Sequence, residues 1–414
     1  MRILRIGSTH GSPLRYLDIL NNKDIDHITW VTHENDLMVK KVFEKCQELE
    51  PNFSKKFTLV TFKMTVVANF WIRVLNFLAS KKIKLPGFLE KFLILITNVV
   101  FYLTTSQIYR KVLTESKYDF VWSGNNDSDG VNYSVWALSI VSPINIVHSY
   151  QEHRCSYRVD EKVAICAAHH LILPSERNLQ SFNTTYNVDL QYKTSFGNED
   201  WRSQYLMNKI SKIAAVNHHS SNEPSVIILA RFATYGRNGS RRGSRINYVD
   251  VMEELASRGI HVHLNCLKIV DDIDTMNYQE GNPYDCLKDK YPTFIHIDSA
   301  LDLNDFNSYG SLKGYTAGLL HNYVEDEDIN AFSEMNVPNR LFEYLISDVP
   351  SVLKLSTLKD AEDLIKSMDF GILYQDYDEL EEKLRNMNTT KAPLEKKMKY
   401  SFGSFVDIIM LSHS

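Results

Sequence analysis

The chain of 414 residues is short of the features that mark specialised protein classes. It has five cysteines, Cys46, Cys155, Cys166, Cys266 and Cys286, scattered without a CxxC pair or an even framework. A disulfide-built scaffold is thereby excluded, and the cysteines read as reduced thiols of a cytosolic protein, most of them buried and inert. Charge of one sign is also lacking. The 46 basic and 51 acidic residues leave a net charge of -5, so no global field draws nucleic acid, and no nucleic-acid-binding motif is present. Long apolar runs are missing too. The longest, Phe92 to Leu103, has twelve residues and is interrupted by Thr97 and Asn98, whereas a membrane span needs about 20. The opening Met1-Arg2-Ile3-Leu4-Arg5-Ile6-Gly7 is too short and is broken by Arg5, so no secretory signal is expected. Sequons at Asn126, Asn183 and Asn238 are read as coincidental for the same reason. The phosphate-binding signature GxxxxGK[ST] does not occur, nor does an internal repeat.

What remains is an ordinary folded composition, 44% hydrophobic and 23% charged. The length exceeds one compact core and favours two domains of roughly 200 residues each. Apolar runs at Ile3–Ile6, His27–Thr32, Phe57–Phe62, Tyr118–Gly124, Ile144–His148 and His169–Pro174 read as strands. The first is followed by a small, polar loop, Gly7 to Ser12, and a helical stretch from Pro13 to Leu20. Strand, glycine loop and helix in that order are how a nucleotide-binding α/β half opens, which makes Gly7 and Gly11 candidates for lining a ligand site. Residues 63–111 differ in character: eight basic residues stand against Glu90 alone, a local charge of +7, among many large apolar side chains. Basic and apolar together suggest a helical segment lying on an anionic membrane surface.

From Asn208 to Pro224 the sequence turns polar and loses periodicity, as a linker does. The alternation then restarts, with strands at Ser225–Ala230, Ile260–Leu264, Thr293–Ile297, Tyr315–Leu320, Ser351–Leu353 and Gly371–Leu373. Helices are expected at Tyr248–Arg258, stopped by Gly259, and at Pro338–Ile346. Strands alternating with helices make parallel sheets. The fold class is therefore α/β, with two Rossmann-like domains facing across a cleft. The divisions are 1–207, a linker at 208–224, 225–390, and a C-terminal helix at 391–414 packing back on the first domain.

Chemistry is expected beyond the carboxyl ends of such strands. Leu229-Ala230-Arg231-Phe232 ends a strand in arginine and leads into a basic, glycine-rich loop containing Arg237. Guanidinium groups bind phosphate oxygens bidentately, so Arg231 and Arg237 are candidates for a diphosphate. Asn336-Val337-Pro338-Asn339-Arg340-Leu341-Phe342-Glu343-Tyr344-Leu345-Ile346 follows, then Ser347-Asp348-Val349-Pro350-Ser351-Val352-Leu353. This stretch resembles the donor-site motif of GT-B glycosyltransferases, especially the family 4-like group (glycosyl transferases group 1). That motif pairs Pro-x-Lys/Arg with a Phe-Glu-Tyr helix and a small-residue turn before Pro-Val. The resemblance implies that Glu343 accepts hydrogen bonds from a ribose diol, and that Arg340, beside Pro338, contacts the diphosphate. A carboxylate can take two hydroxyl protons at once, and a cation near a helix start meets phosphate charge. Two departures stand out: Met335 occupies the place of a second glutamate, and Asp348 replaces the usual glycine of the turn.

In the first half, Val147-His148-Ser149-Tyr150-Gln151-Glu152-His153 follows a strand and is similar to the family's acceptor-side segment. An inverting enzyme would use Glu152 or His153 as base; a retaining one would use His148 or His153 to orient the sugar. The sequence leaves both routes open. Asp272-Ile273-Asp274 fits the Asp-x-Asp letters of metal-dependent transferases but lies in an acidic loop of the second half. His261 and His263 share a strand face without a third ligand, so no metal and no further cofactor is expected. The resemblance implies transfer of a hexose-type sugar from a UDP- or GDP-sugar to a glycan or lipid-linked acceptor in surface polysaccharide or glycoconjugate synthesis. The reduced cysteines, the absence of a secretory signal and the basic, apolar segment lead to the expectation of a cytoplasmic protein lying peripherally on the inner face of the membrane. A nucleotide-sugar 2-epimerase of the same fold and a non-catalytic scaffold are the rival readings.

Overall fold

A computed structural model describes residues 1–7, 9, 13–34, 36–62, 108–124, 131–150, 158–218, 223–235, 246–270, 281–303, 305–320, 334–355, 358–387 and 391–413. The chain divides into two compact units, Met1–Asp200 with Phe402–Ser414, and Trp201–Ser401.

The first unit is built on a parallel sheet of β1 (Arg2–Ile6), β2 (His27–His33), β3 (Phe57–Phe62), β4 (Phe120–Gly124), β5 (Asn145–Ser149), β6 (His170–Leu173) and β7 (Thr194–Phe196). Their order is β3-β2-β1-β4-β5-β6-β7. Strands covered on both faces must be apolar almost throughout, and Leu4, Ile6, Val121, Ile146, Leu171 and Leu173 accordingly enter one buried core. The second unit carries β8 (Ser225–Thr234), β9 (His261–Val270), β10 (Ile295–Ser299), β11 (Ala317–Leu320), β12 (Ser351–Lys354) and β13 (Gly371–Tyr374). They are ordered β10-β9-β8-β11-β12-β13 and every pairing is parallel.

Several boundaries differ from the sequence reading. β8 continues past Ala230 to Thr234 and β9 past Leu264 to Val270, because the two strands extend together, with Phe232 opposite Lys268 and Thr234 opposite Val270. Arg231 hid this extension by interrupting the apolar run, so it lies within a strand rather than at its end. Strand β7 has only three residues, two of them Thr and Ser, and carried no apolar signal. The helix expected from Pro338 begins at Arg340, with the Pro338 carbonyl accepting from the Leu341 N–H at 2.9 Å.

The polar stretch 208–218, read as linker, packs within the second unit. Val216 N donates to the Gly310 carbonyl at 2.9 Å, and the Lys313 ammonium donates to the carbonyls of Ile210 and Ile213. A Cβ on Gly314 would lie 1.8 Å from the Val216 oxygen, so the two segments meet backbone to backbone. The helix Phe402–Leu411 belongs to the first unit, where Phe402 packs its ring edge-on to Tyr16 and Gly403 N donates to Asp18. Residues 391–401 belong to the second.

Of the described cysteines, Cys46 and Cys266 are buried while Cys166 and Cys286 are exposed, so burial holds for half of these four rather than for most. Burial pushes the Cys266 thiol up to about 11, which keeps it protonated and unreactive. Among the described residues, no helix is long and apolar enough to cross a membrane. Residues 63–107 of the basic, apolar segment lie outside the described residues.

Candidate functional site

In the second sheet the winding direction reverses between β8 and β11, and such a switch point is where doubly wound sheets bind ligands. The β8–β11 pairing ends at Gly318 opposite Ile227. Beyond it the helix Arg340–Ile346 supplies the partners β8 still needs. The Tyr344 hydroxyl donates to the Ile227 carbonyl and accepts from Leu229 N, both at 3.1 Å. Arg340 Nη1 donates to the Leu229 carbonyl at 2.9 Å and to the Tyr248 hydroxyl at 3.1 Å. Residues 340 and 344 are one turn apart, so one helix face is stitched to the strand end.

Close approach at this point requires Gly318, where a Cβ would stand 2.5 Å from the Tyr344 ring. Gly318→Ala is expected to destabilise the second unit by about 1–3 kcal/mol through overpacking, read as a lowered urea midpoint. An unchanged midpoint would show that the ring is not held there.

Glu343, on the same helix, is 4% exposed. Its Oε1 accepts from Arg202 Nε at 2.6 Å and its Oε2 from the Tyr309 hydroxyl at 2.9 Å. Burial, with the Glu343 charge beside it, drives the Tyr309 pKa well above its usual value, so this hydroxyl stays protonated and donates. Arg202 also reaches the Asn339 carbonyl.

The structure thus brings Arg340 to the strand that carries Arg231, while Glu343 turns towards Arg202 and Tyr309. Arg231 itself is exposed, with its guanidinium 5.3 Å from the centre of the Phe232 ring. Pro338 is partly exposed just before the helix. Both departures from the motif are accommodated. Asp348 takes the left-handed conformation a glycine would, with φ +59°, and its carboxylate accepts from Ala392 N and the Lys397 ammonium. Glu334, next to Met335, is ion-paired with Lys359.

The first sheet reverses between β1 and β4. Gly7, at the end of β1, has φ +94°, and its carbonyl accepts from Trp30 Nε1 at 2.8 Å. Beside it lies a buried charged cluster that the sequence reading missed. Arg5 and Arg15 are fully buried, and Glu199 and Asp200 are nearly so. Arg5 Nη2 donates to Glu199 Oε1 at 2.8 Å, and Arg15 Nη1 to Asp200 Oδ1 at 3.0 Å. The Tyr16 hydroxyl also donates to Glu199, and Arg15 donates to Thr9. Burial by itself would raise the Glu199 pKa, but Arg5 and Arg15 outweigh it and hold the carboxylate below its ordinary range. Burial lifts Tyr16 to about 12. A signal was available in the sequence: Arg5 interrupts an otherwise apolar strand, and the acidic pair falls where the units divide.

His148 is enclosed. Its Nδ1 lies 2.9 Å from Ser123 Oγ, and its buried Nε2 has no hydrogen-bond partner among the described residues. Burial lowers its pKa to about 3, so it is neutral at physiological pH. Gly11, Glu152, His153, Arg237 and the Asp272–Asp274 stretch lie outside the described residues. On β9, His261 and His263 pack against His296 of β10, with ring centres 5.5 and 4.1 Å apart. Among the described residues no group of His, Cys, Asp or Glu is arranged to hold a metal ion.

Solved structures with the same architecture extend over the whole chain. The lipopolysaccharide outer core galactosyltransferase WaaB is 12% identical, covers 99% of both chains and has a TM-score of 0.59. The chain has the GT-B glycosyltransferase fold. An alpha,alpha-trehalose-phosphate synthase (UDP-forming) from Burkholderia xenovorans, in complex with glucose-6-phosphate, is 8% identical over 100% of both chains, with a TM-score of 0.59. A trehalose-6-phosphate protein from E. coli bound with UDP-2-fluoro glucose is 10% identical over 100% of this chain and 99% of its own, with a TM-score of 0.58. No protein-family model and no curated protein matches the chain by sequence.

Proposed function

We propose that the protein is a glycosyltransferase that moves a hexose-type sugar from a nucleotide-sugar donor, a UDP- or GDP-sugar, to a glycan or lipid-linked acceptor in surface polysaccharide or glycoconjugate assembly. One observation carries this reading: the helix bearing Arg340 and Glu343 is stitched to the switch point of the second sheet, where parallel folds bind ligands. The sequence of that helix resembles a donor-site motif, and full-length neighbours of the fold include a galactosyltransferase and a UDP-forming synthase. A UDP-sugar and a sugar phosphate bound to such neighbours support a nucleotide-sugar donor and a sugar acceptor.

In this reading Arg231, Arg237 and Arg340 meet the diphosphate, and Glu343 meets the ribose. Gly7 and Gly11 line the site in the first unit. Glu152 and His153 are the groups for proton transfer or sugar orientation. His148, held beside Ser123 at the end of β5, is with His153 a group for orienting the sugar in a retaining enzyme. The basic segment 63–111 would bring the cytoplasmic enzyme to lipid-borne acceptor at an anionic membrane surface.

Calorimetry with UDP and GDP is expected to show binding of one of them, and sugar release from the donor is expected only when acceptor is present. Donor consumption without acceptor would replace transfer by epimerisation. Binding of neither nucleotide would leave a scaffold role. High salt is expected to release the protein from anionic vesicles, and salt-independent binding would reject docking by charge.

A further inference from the structure

The residue that ties down Glu343 lies 141 positions earlier in the chain, immediately after the first unit ends. Arg202 is 3% exposed and is fixed from behind. Its backbone forms a bridge with Ser401, the neighbouring Ser203 caps the helix Gln204–Ile210, and Gln204 Nε2 donates to Ser401 Oγ at 2.8 Å. At its head, Nε meets Glu343 and Nη2 meets Asn339, the residue just before the donor helix.

We propose that Arg202 is a positioning residue for the donor nucleoside: together with Tyr309 it orients the Glu343 carboxylate so that one lone pair on each oxygen remains for the two ribose hydroxyls. The inference rests on the glycosyltransferase reading above. An ionised carboxylate offers about four acceptor directions, and here Arg202 takes one on Oε1 and Tyr309 one on Oε2. A vicinal diol needs two acceptors in fixed relation, and a glutamate free to rotate would have to be ordered at each binding event. A guanidinium on one oxygen and a phenol on the other remove that freedom beforehand. Stability alone is a weak reason for such a pair, since well-packed apolar residues replace a buried ion pair with little loss.

The test compares UDP and GDP with their 2′,3′-dideoxy forms by calorimetry, on the wild-type protein and on Arg202→Met, Arg202→Lys and Tyr309→Phe. Two hydroxyl hydrogen bonds predict a preference for the ribose form of about ten-fold or more in the wild type. Arg202→Met is expected to bring the two forms within about two-fold while leaving the dideoxy affinity unchanged, with Tyr309→Phe in between. A merely structural arginine would weaken both forms alike and keep their ratio, and that result overturns the proposal. Should Arg202→Met fail to fold, Arg202→Lys decides: it keeps the charge without the Nε donor, so a wild-type ratio in it is equally fatal, and a reduced ratio supports the role. A wild-type protein that binds nucleotide without ribose preference removes the Glu343 contact and this inference with it. One that binds no nucleotide removes the donor reading itself.

Discussion

Glu199→Gln is expected to lower the stability of the first unit by about 3–5 kcal/mol, the cost of removing one partner from a buried ion pair. The side chain keeps its volume, so the loss is electrostatic and not a cavity effect. Arg5 and Arg15 are fully buried, and Glu199 is hydrogen-bonded to Arg5 and lies 3.6 Å from Arg15. With the carboxylate neutralised, both enclosed guanidinium groups lose the negative charge beside them, while the Arg15–Asp200 pair remains. The Arg5 guanidinium lies close against Gly124, where an added Cβ would stand 2.5 Å from Nη2. Arg5 also stacks on Trp122, 4.2 Å from the ring centre, so near-ultraviolet circular dichroism during urea unfolding reports on the same cluster. A loss under about 1 kcal/mol would show that water reaches these charges.

The second large effect is acid sensitivity centred on His148. Its folded-state pKa of about 3 lies below the usual 6.5, so between those values the unfolded chain binds the proton more readily than the folded one. The stabilising contribution is therefore complete above pH 6.5 and is lost as pH falls towards 3. At 1.36 kcal/mol per pH unit the loss is about 2 kcal/mol by pH 5. Glu199, whose pKa is held below the carboxylate range, adds a second loss only below its ordinary value of 4.5. His148→Gln keeps a hydrogen-bonding partner for Ser123 and is expected to flatten unfolding free energy between pH 6.5 and 5. An equally steep profile in that variant would place the titrating group elsewhere. His296, lowered to about 4 and only half-buried, is the next one to replace.

Legibility followed the range of the interactions. The strands at Ile3–Ile6, Phe57–Phe62 and Ser351–Leu353 were readable because a two-sided parallel sheet demands apolar runs. The helix Arg340–Ile346 was readable because its Phe-Glu-Tyr stretch is local. Its environment was not: Glu343 looks like an open acceptor in sequence, whereas Arg202 and Tyr309 hold both its oxygens from 141 and 34 positions away. The polar stretch at 208–218 misled for the opposite reason, since the Val216 backbone, together with the Ile213 and His218 side chains, packs it against Gly310 and Gly314.

By itself, then, the sequence determined the alternating α/β plan and the two-part division, because hydrophobic period and turn residues act over a few positions. Tertiary structure alone decided which charges face each other. It joined Arg5 to Glu199 and Arg202 to Glu343, sealed His148 away from solvent, and let Asp348 stand where a glycine is usual by giving its carboxylate the Lys397 ammonium. Burial and pairing are properties of space, and a charged residue in a string of letters carries no mark of the partner that the fold will bring to it.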